Sequence, residues 1–203
     1  MDKASTDRQI TENKAKQKKE NYFLTNLRDI VFIVAGMILV FSLLFRVVIV
    51  SGPSMRDTLV DGDWLLLIGN VFYNDPQKGD VIVASKKSFE DGKPIIKRVI
   101  ATEGQTVDID FDAGIVYVDG VALDEPYTLT PTNLYEGIDF PLTVTEGSIF
   151  AMGDNRNKSK DSRSTEIGLI DCREVIGRAV FIMFPGNDGG EVTREFSRIG
   201  VLS

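Results

Sequence analysis

The 203-residue sequence predicts a mainly β protein, with an N-terminal transmembrane helix followed by a mostly antiparallel, barrel-like β domain. Three observations carry that expectation. The run from Ile30 to Phe45 holds no charge. Beyond residue 46 the chain breaks into short β-branched or aromatic runs separated by turn formers. Convincing 3.6-residue periodicity is missing outside the first run, apart from a short turn near Ser164 to Gly168.

The N-terminal elements come first. Residues 1–28 carry seven Lys/Arg against four Asp/Glu, which leaves a net charge of −10 on the rest of a chain whose total is −7. Val47 to Val50 extends the apolar run past Arg46, whose head can snorkel to lipid headgroups. As a helix, residues 30–50 would span about 31 Å, close to the hydrocarbon thickness of a bilayer. Lys14, Lys16, Lys18, Lys19 and Arg28 lie before it, so the positive-inside rule places the N-terminus in the cytoplasm and the body outside. A cleaved signal peptide would have a shorter apolar core and an A-x-A site after it, and a core helix would show a polar face. The expected division is a basic cytoplasmic segment over 1–29, a single uncleaved span over 30–50 and a β-rich domain over 51–203, with no second span.

Within that domain "VVIV" (also read as the end of the span), "WLLLI", "DVIVAS", "IIKRVIA", "TVDIDF", "GIVYVDG", "SIFAMG" and "GRAVFIMF" read as strands. "TVDIDFDAGIVYVDG" alternates on both arms and predicts a hairpin. Residues 124–145, with Pro126, Pro131 and Pro141, predict a long surface excursion.

Composition excludes several classes of function. There is no histidine, so neither a Ser-His-Asp triad nor a His-ligated zinc site can form within the chain. The lone Cys172 allows no intramolecular disulfide and reads as a small buried hydrophobe. An acidic body argues against a nucleic-acid partner. Nucleophilic chemistry here needs a base other than imidazole.

Three stretches could carry such chemistry. Ser54 lies in "SGPSM"; a serine in a Gly-Pro turn is by itself a turn residue. In "PIIKRVIA", Ile95, Lys97 and Val99 share one strand face, and Ile96, Arg98 and Ile100 the other. A lysine buried among aliphatics loses solvation, so its pKa falls from about 10.4 and it becomes a candidate general base. The alternative is that Lys97 and Arg98 both snorkel from an ordinary strand. "GDNRNKSKDSR", residues 153–163, reads as a polar loop held by an Asp161–Arg163 pair. Its Asn157-Lys158-Ser159 also fits a glycosylation acceptor, a weak pattern.

Together these stretches resemble the type I signal peptidases, membrane-bound Ser-Lys endopeptidases that remove signal peptides. "SGPSM" resembles the family's nucleophile box, "IKRVIATEG" its lysine box, and "GDNRNKSKDSR" its G-D-N-R-x-x-S-x-D-S-R at every specified position. "GDVIV" at 79–83 and "GRAVFIMFP" also fit, and the likeness runs from the apolar run to about Pro185. The resemblance implies that Ser54 attacks the scissile carbonyl and that neutral Lys97 takes its proton. It implies that Ser159 holds the lysine amine, that Asp161 and Arg163 form a buried pair bracing the loop, and that Asp154 and Arg98 support them. Gly52 and Met55 belong to the nucleophile turn. Gly52 stands where some members carry an oxyanion-binding serine, so the oxyanion would rely on the Ser54 N–H. Asp57 stands where most members have proline, and Gln105 where aspartate is common. The implied partners are signal peptides of exported preproteins and the lipid bilayer, with no cofactor, metal or nucleic acid. The location implied is the cell membrane, with a single pass, a cytoplasmic N-terminus and the catalytic domain outside.

Two rivals stand beside this reading. One is a non-catalytic, membrane-anchored β-rich binding module, which would need neither Lys97 nor the 153–163 loop. The other is a different Ser-Lys enzyme; the S-x-x-K and K-T-G pair of β-lactamases is absent. With the span ending at Val50, at most about 14 Å of extended chain would reach Ser54, holding it at the outer membrane surface.

Overall fold

A computed structural model describes residues 3–187 and 194–202, with side chains described from residue 22 onward except 23 and 43. The chain divides into two units, residues 1–43 and 44–203.

The first unit is a single helix, α1 (Lys3–Leu44). Its stretch Leu24–Ser42 is long and apolar enough to cross a membrane, about 28 Å of helix. The helix differs from the sequence expectation at both ends. It begins in the polar segment, where Lys, Gln, Glu and Ala are strong helix formers. It stops at Leu44, six residues short of Val50. Val47, Val48 and Ile49 are β-branched, and they satisfy their backbone groups as strand β1 (Phe45–Ile49) against β2 (Trp64–Gly69), with Ile49 opposite Trp64.

The second unit is β-rich. Its other strands are β3 (Val81–Ser85), β4 (Pro94–Thr102), β5 (Thr106–Asp110), β6 (Ile115–Val118), β7 (Val121–Ala122), β8 (Leu142–Thr143), β9 (Ser148–Met152), β10 (Ile170–Asp171), β11 (Val175–Phe184) and β12 (Gly200–Val201). An eight-stranded antiparallel sheet runs β1-β2-β11-β3-β4-β9-β10, with β12 pairing β11, and a smaller sheet runs β7-β6-β5-β8. The hairpin expected over residues 106–120 is β5–β6, with Val107 opposite Val118. The turn expected near Ser164 is closed by Gly168 N–H donating to Ser164 O at 2.7 Å. The excursion expected over residues 124–145 holds no strand as far as residue 141, apart from a bridge between Gly137 and Ser164, but its end pairs with β5 as β8, Thr143 lying opposite Thr106. Cys172 is half-buried and not fully enclosed; it packs against the cluster around Val99 and Ile149.

Apolar side chains fill three clusters. One joins Val50, Met55 and Leu59 to β2, β3 and β11. A second lies around Ile82, Val99 and Ile149, and a third between β4, β9 and the small sheet. Strand β4 borders all three, because Ile96 packs on the first, Ile95 and Val99 on the second, and Ile100 in the third. A strand buried on both faces must bury any charged residue it carries. That places Lys97 and Arg98 together inside the protein, against the snorkelling alternative.

Candidate active site

Ser54 follows β1 in a tight turn. Arg56 N–H donates to Pro53 O at 3.2 Å and Leu59 N–H to Met55 O at 2.8 Å. Met55 and Leu59 plug into the core, which pins the turn and leaves Ser54 half-buried on its outer side. Gly52 takes φ +92°, a conformation that favours glycine, and its N–H donates to Asp61 Oδ1 at 2.8 Å. The Arg56–Asp57 peptide is cis.

Lys97 reaches this turn from the middle of β4. It is 4% exposed, with Ile82 directly opposite on β3. Its Nζ donates to Ser54 Oγ at 3.0 Å. Burial strips water from the ammonium and brings the pKa down from an ordinary lysine's 10.5 to about 8. The charges of Asp161, Glu136 and Asp154 pull the other way, and Arg163 adds to the fall. Desolvation wins.

The loop over residues 153–163 holds the pair together. Asn155 N–H donates to Ser54 O at 3.0 Å, and Asn155 Nδ2 to Pro53 O at 3.1 Å. Gly153 passes so close that a Cβ there would overlap the Ser159 side chain and the Ser54 carbonyl. Asp154 is buried against Arg98, with Nε to Oδ1 at 3.0 Å and Nη2 to Oδ2 at 2.9 Å. Arg98 also donates to Gly79 O and lies 4.1 Å from the Tyr127 ring centroid. The Thr58 hydroxyl donates to Asp154 Oδ2, which ties the far end of the nucleophile turn to the loop.

Asp161 and Arg163 are both fully buried and paired, at 2.9 Å (Nε to Oδ1) and 2.8 Å (Nη2 to Oδ2). Burial pushes the Asp161 carboxyl up, and its bonds and charge pairing with Arg163 outweigh this and hold it below the usual range. Ser159 differs from its expected role. Its hydroxyl donates to Asp161 Oδ2 at 2.8 Å, while Lys97 Nζ bonds Ser54. The short Ser159-x-Asp161 spacing turns the hydroxyl onto the carboxylate beside it.

Several partners of the site had no local signal in the sequence. Arg156 is fully buried, and it forks onto Glu125 (2.8 and 2.6 Å) and reaches Thr132 at 2.9 Å. These contacts fasten the 124–133 excursion to the loop. The G-D-N-R match did specify Arg156, but nothing near Glu125 marks it as the partner. Glu136, further along the excursion, comes within 3.8 Å of Arg163 without a hydrogen bond, and its Oε2 is buried. Burial and the charge of Asp161 raise its pKa.

The buried pair makes one stability prediction. Arg163→Ala leaves the Asp161 charge uncompensated and should cost about 3–5 kcal/mol, while Asp161→Asn with Arg163→Met should cost less. Chemical denaturation of the three proteins measures both, and an equal or larger loss in the double variant would contradict the pairing.

A half-buried serine, a buried lysine of lowered pKa in contact with it, and a loop that fixes both is an arrangement able to activate a hydroxyl without histidine. A family model described as signal peptidase, peptidase S26, matches residues 23–184. A signal peptidase I of Bacillus licheniformis is 34% identical over 88% of this chain and 97% of its own length. A probable signal peptidase I-1 of Synechocystis is 38% identical over 76% of this chain and 81% of its own length. Signal peptidase I T of Bacillus subtilis is 34% identical over 88% and 93%. Among solved structures, a signal peptidase I of Enterococcus faecalis is similar at 32% identity and a TM-score of 0.41, over 51% of this chain and 96% of that one.

Proposed function

The chain belongs to the signal peptidase family, peptidase S26, and from that premise we propose that Ser54 and Lys97 are the dyad with which it removes signal peptides from exported preproteins. The observation that carries the assignment is the 3.0 Å contact between Lys97 Nζ and Ser54 Oγ, made by a lysine that burial inclines toward neutrality. A neutral amine has a lone pair as well as N–H bonds. The same contact therefore takes the hydroxyl proton when Ser54 attacks the scissile carbonyl. Among the described residues no acceptor takes the Ser54 N–H, which leaves it for the oxyanion of the tetrahedral intermediate. Lys97 then gives its proton to the leaving amine of the mature protein. In the second half it takes a proton from water, the water attacks the acyl-serine, and the proton returns to Ser54.

A cavity of about 200 Å³ lies beside Lys97, lined by Val48, Val50, Ser51, Val83 and Ile96 among others. Its Val48, Val50, Val83 and Ile96 wall suits a small apolar side chain, while Glu90, Lys93 and Lys160 line other parts of it. Strand β1, whose outer edge pairs with no other strand among the described residues, can take an extended peptide by strand addition, sending alternate residues inward. The −1 and −3 side chains of a signal peptide then share one face. Replacing a −1 alanine by phenylalanine should cut processing at least about 100-fold, since the overpacked site cannot hold the carbonyl near Ser54. Equal turnover of both substrates would contradict this placement.

The basic N-terminal segment puts the N-terminus in the cytoplasm and the β-rich unit outside. Ten residues lead from Leu44 to Ser54, at most about 35 Å of extended chain, which replaces the shorter tether expected from a span ending at Val50. Protease added to intact spheroplasts should digest the β-rich unit and spare the N-terminus. Incubating purified protein with a preprotein, beside a Ser54→Ala control, tests the activity itself.

A further inference from the structure

We propose that Arg198 is a positioning residue for Ser54, clamping the nucleophile turn from the side opposite the 153–163 loop. The proposal rests on the reading of Ser54 as nucleophile. Arg198 lies beyond residue 184, where the family match ends.

Thr58 is the point of attachment. Its side chain is tied to Asp154 on one side, and its carbonyl accepts from Arg198 Nη2 at 3.2 Å on the other. The guanidinium also forks onto Asp63, with Nη1 to Oδ1 at 2.9 Å and Nη2 to Oδ2 at 2.7 Å. Asp63 is fully buried, and its remaining lone pairs take Val60 N–H at 2.8 Å and Gly186 N–H at 2.7 Å. The loop is thus closed on itself at its base, where Val50 N–H donates to Asp63 O at 2.8 Å and Gly62 N–H to Val50 O at 2.9 Å. Ser54 sits between this base and Thr58.

The segment bearing Arg198 is fixed by other contacts. The Phe196 ring packs edge-on against Phe184, 5.8 Å between centroids. Val201 pairs with Phe181 and Gly200 with Ile182, and Leu202 N–H donates to Val180 O at 3.0 Å. The tail does not need Arg198 to dock. The turn does: without the guanidinium the Thr58 carbonyl loses its donor and Asp63 loses its countercharge. A planar fork meets both acceptors at once, which a lysine ammonium cannot do with the same geometry.

The experiment uses the full-length protein in detergent with a preprotein substrate, comparing wild type, Arg198→Ala, Arg198→Lys and Ser54→Ala. In Arg198→Ala, kcat should fall about 10- to 100-fold, the range expected for a small displacement of a reacting group. KM should stay within about threefold, because no cavity residue is changed. The pH at which activity rises should not move, since the largest influences on Lys97 are its burial and the charges of Asp161, Glu136, Arg163 and Asp154, not Arg198. Arg198→Lys should be intermediate, and N-ethylguanidinium should restore part of kcat to Arg198→Ala alone. A kcat within twofold of wild type in Arg198→Ala overturns the proposal. So does a loss that follows the unfolded fraction in thermal melts and resists guanidinium, because Arg198 would then hold only the fold. An inactive Ser54→Ala beside a fully active Arg198→Ala removes the clamp and keeps the nucleophile; an active Ser54→Ala removes the nucleophile assignment itself.

Discussion

Ser54→Ala abolishes processing while the protein stays folded. The substitution removes one half-buried oxygen whose recorded partner is Lys97. Met55 and Leu59 still plug the turn into the core, and the Ser54 carbonyl still accepts from Asn155 N–H. The buried Lys97 amine loses its partner, so the protein should lose about 1–3 kcal/mol of stability and remain folded. Cleavage of a preprotein should drop by a factor of at least about 10⁴, because among the described residues no other hydroxyl bonds a buried lysine amine. The check is product formation on gels with matched melting curves. Processing at the wild-type rate would remove Ser54 from the mechanism.

Lys97→Met gives an equal loss of activity with an opposite effect on stability. Methionine has a similar length and apolar stem but no basic lone pair, and arginine keeps the charge but cannot be deprotonated near neutral pH. Both variants should be inactive. In the wild type the folded state holds the Lys97 proton less tightly than the unfolded chain does, about 8 against 10.5. The unfolded chain therefore binds more protons between those values, and stability rises with pH through that window. Below about pH 8 the buried ammonium costs the folded state about 3 kcal/mol by the same shift. Lys97→Met should accordingly be more stable than wild type at pH 7, with the advantage shrinking between about pH 8 and about pH 10.5. Denaturant titrations at pH 7 and pH 10 measure the difference. A methionine variant less stable than wild type at pH 7 would show that Lys97 is well solvated or strongly paired.

What the sequence made legible follows from the range of each interaction. The β5–β6 hairpin could be read because alternation and turn formers are local. Lys97 and Arg98 could be placed on opposite faces of one strand by the same periodicity, although the alternation alone could not say that both faces were buried. The 153–163 loop was recognisable as a motif, and the Asp161–Arg163 pair within it was legible because the partners are two residues apart. The end of α1 was not. Val47 to Ile49 satisfy an apolar helix and an apolar strand alike, and only pairing with residues 64–68, far along the chain, decides between them. Arg156 to Glu125, Arg163 to Leu134 O, and Arg198 to Asp63 were equally hidden, since each joins segments that only the folded sheets bring together. Ser159 shows a different limit. Its proximity to the site was implied, and its hydrogen bond to Asp161 was decided by a two-residue spacing that a motif match does not weigh.

The measurement closest to the central claim is the pH dependence of kcat/KM for the wild-type enzyme on a substrate that does not itself titrate. The groups acting on Lys97 are Asp161, Glu136, Asp154 and Arg163, and a buried lysine that must be neutral to act gives a rising limb. Activity should climb with pH to a plateau, with an apparent pKa of about 8. A flat profile from about pH 6 to about pH 10, or a limb that falls where this one rises, would mean that a group other than Lys97 takes the Ser54 proton.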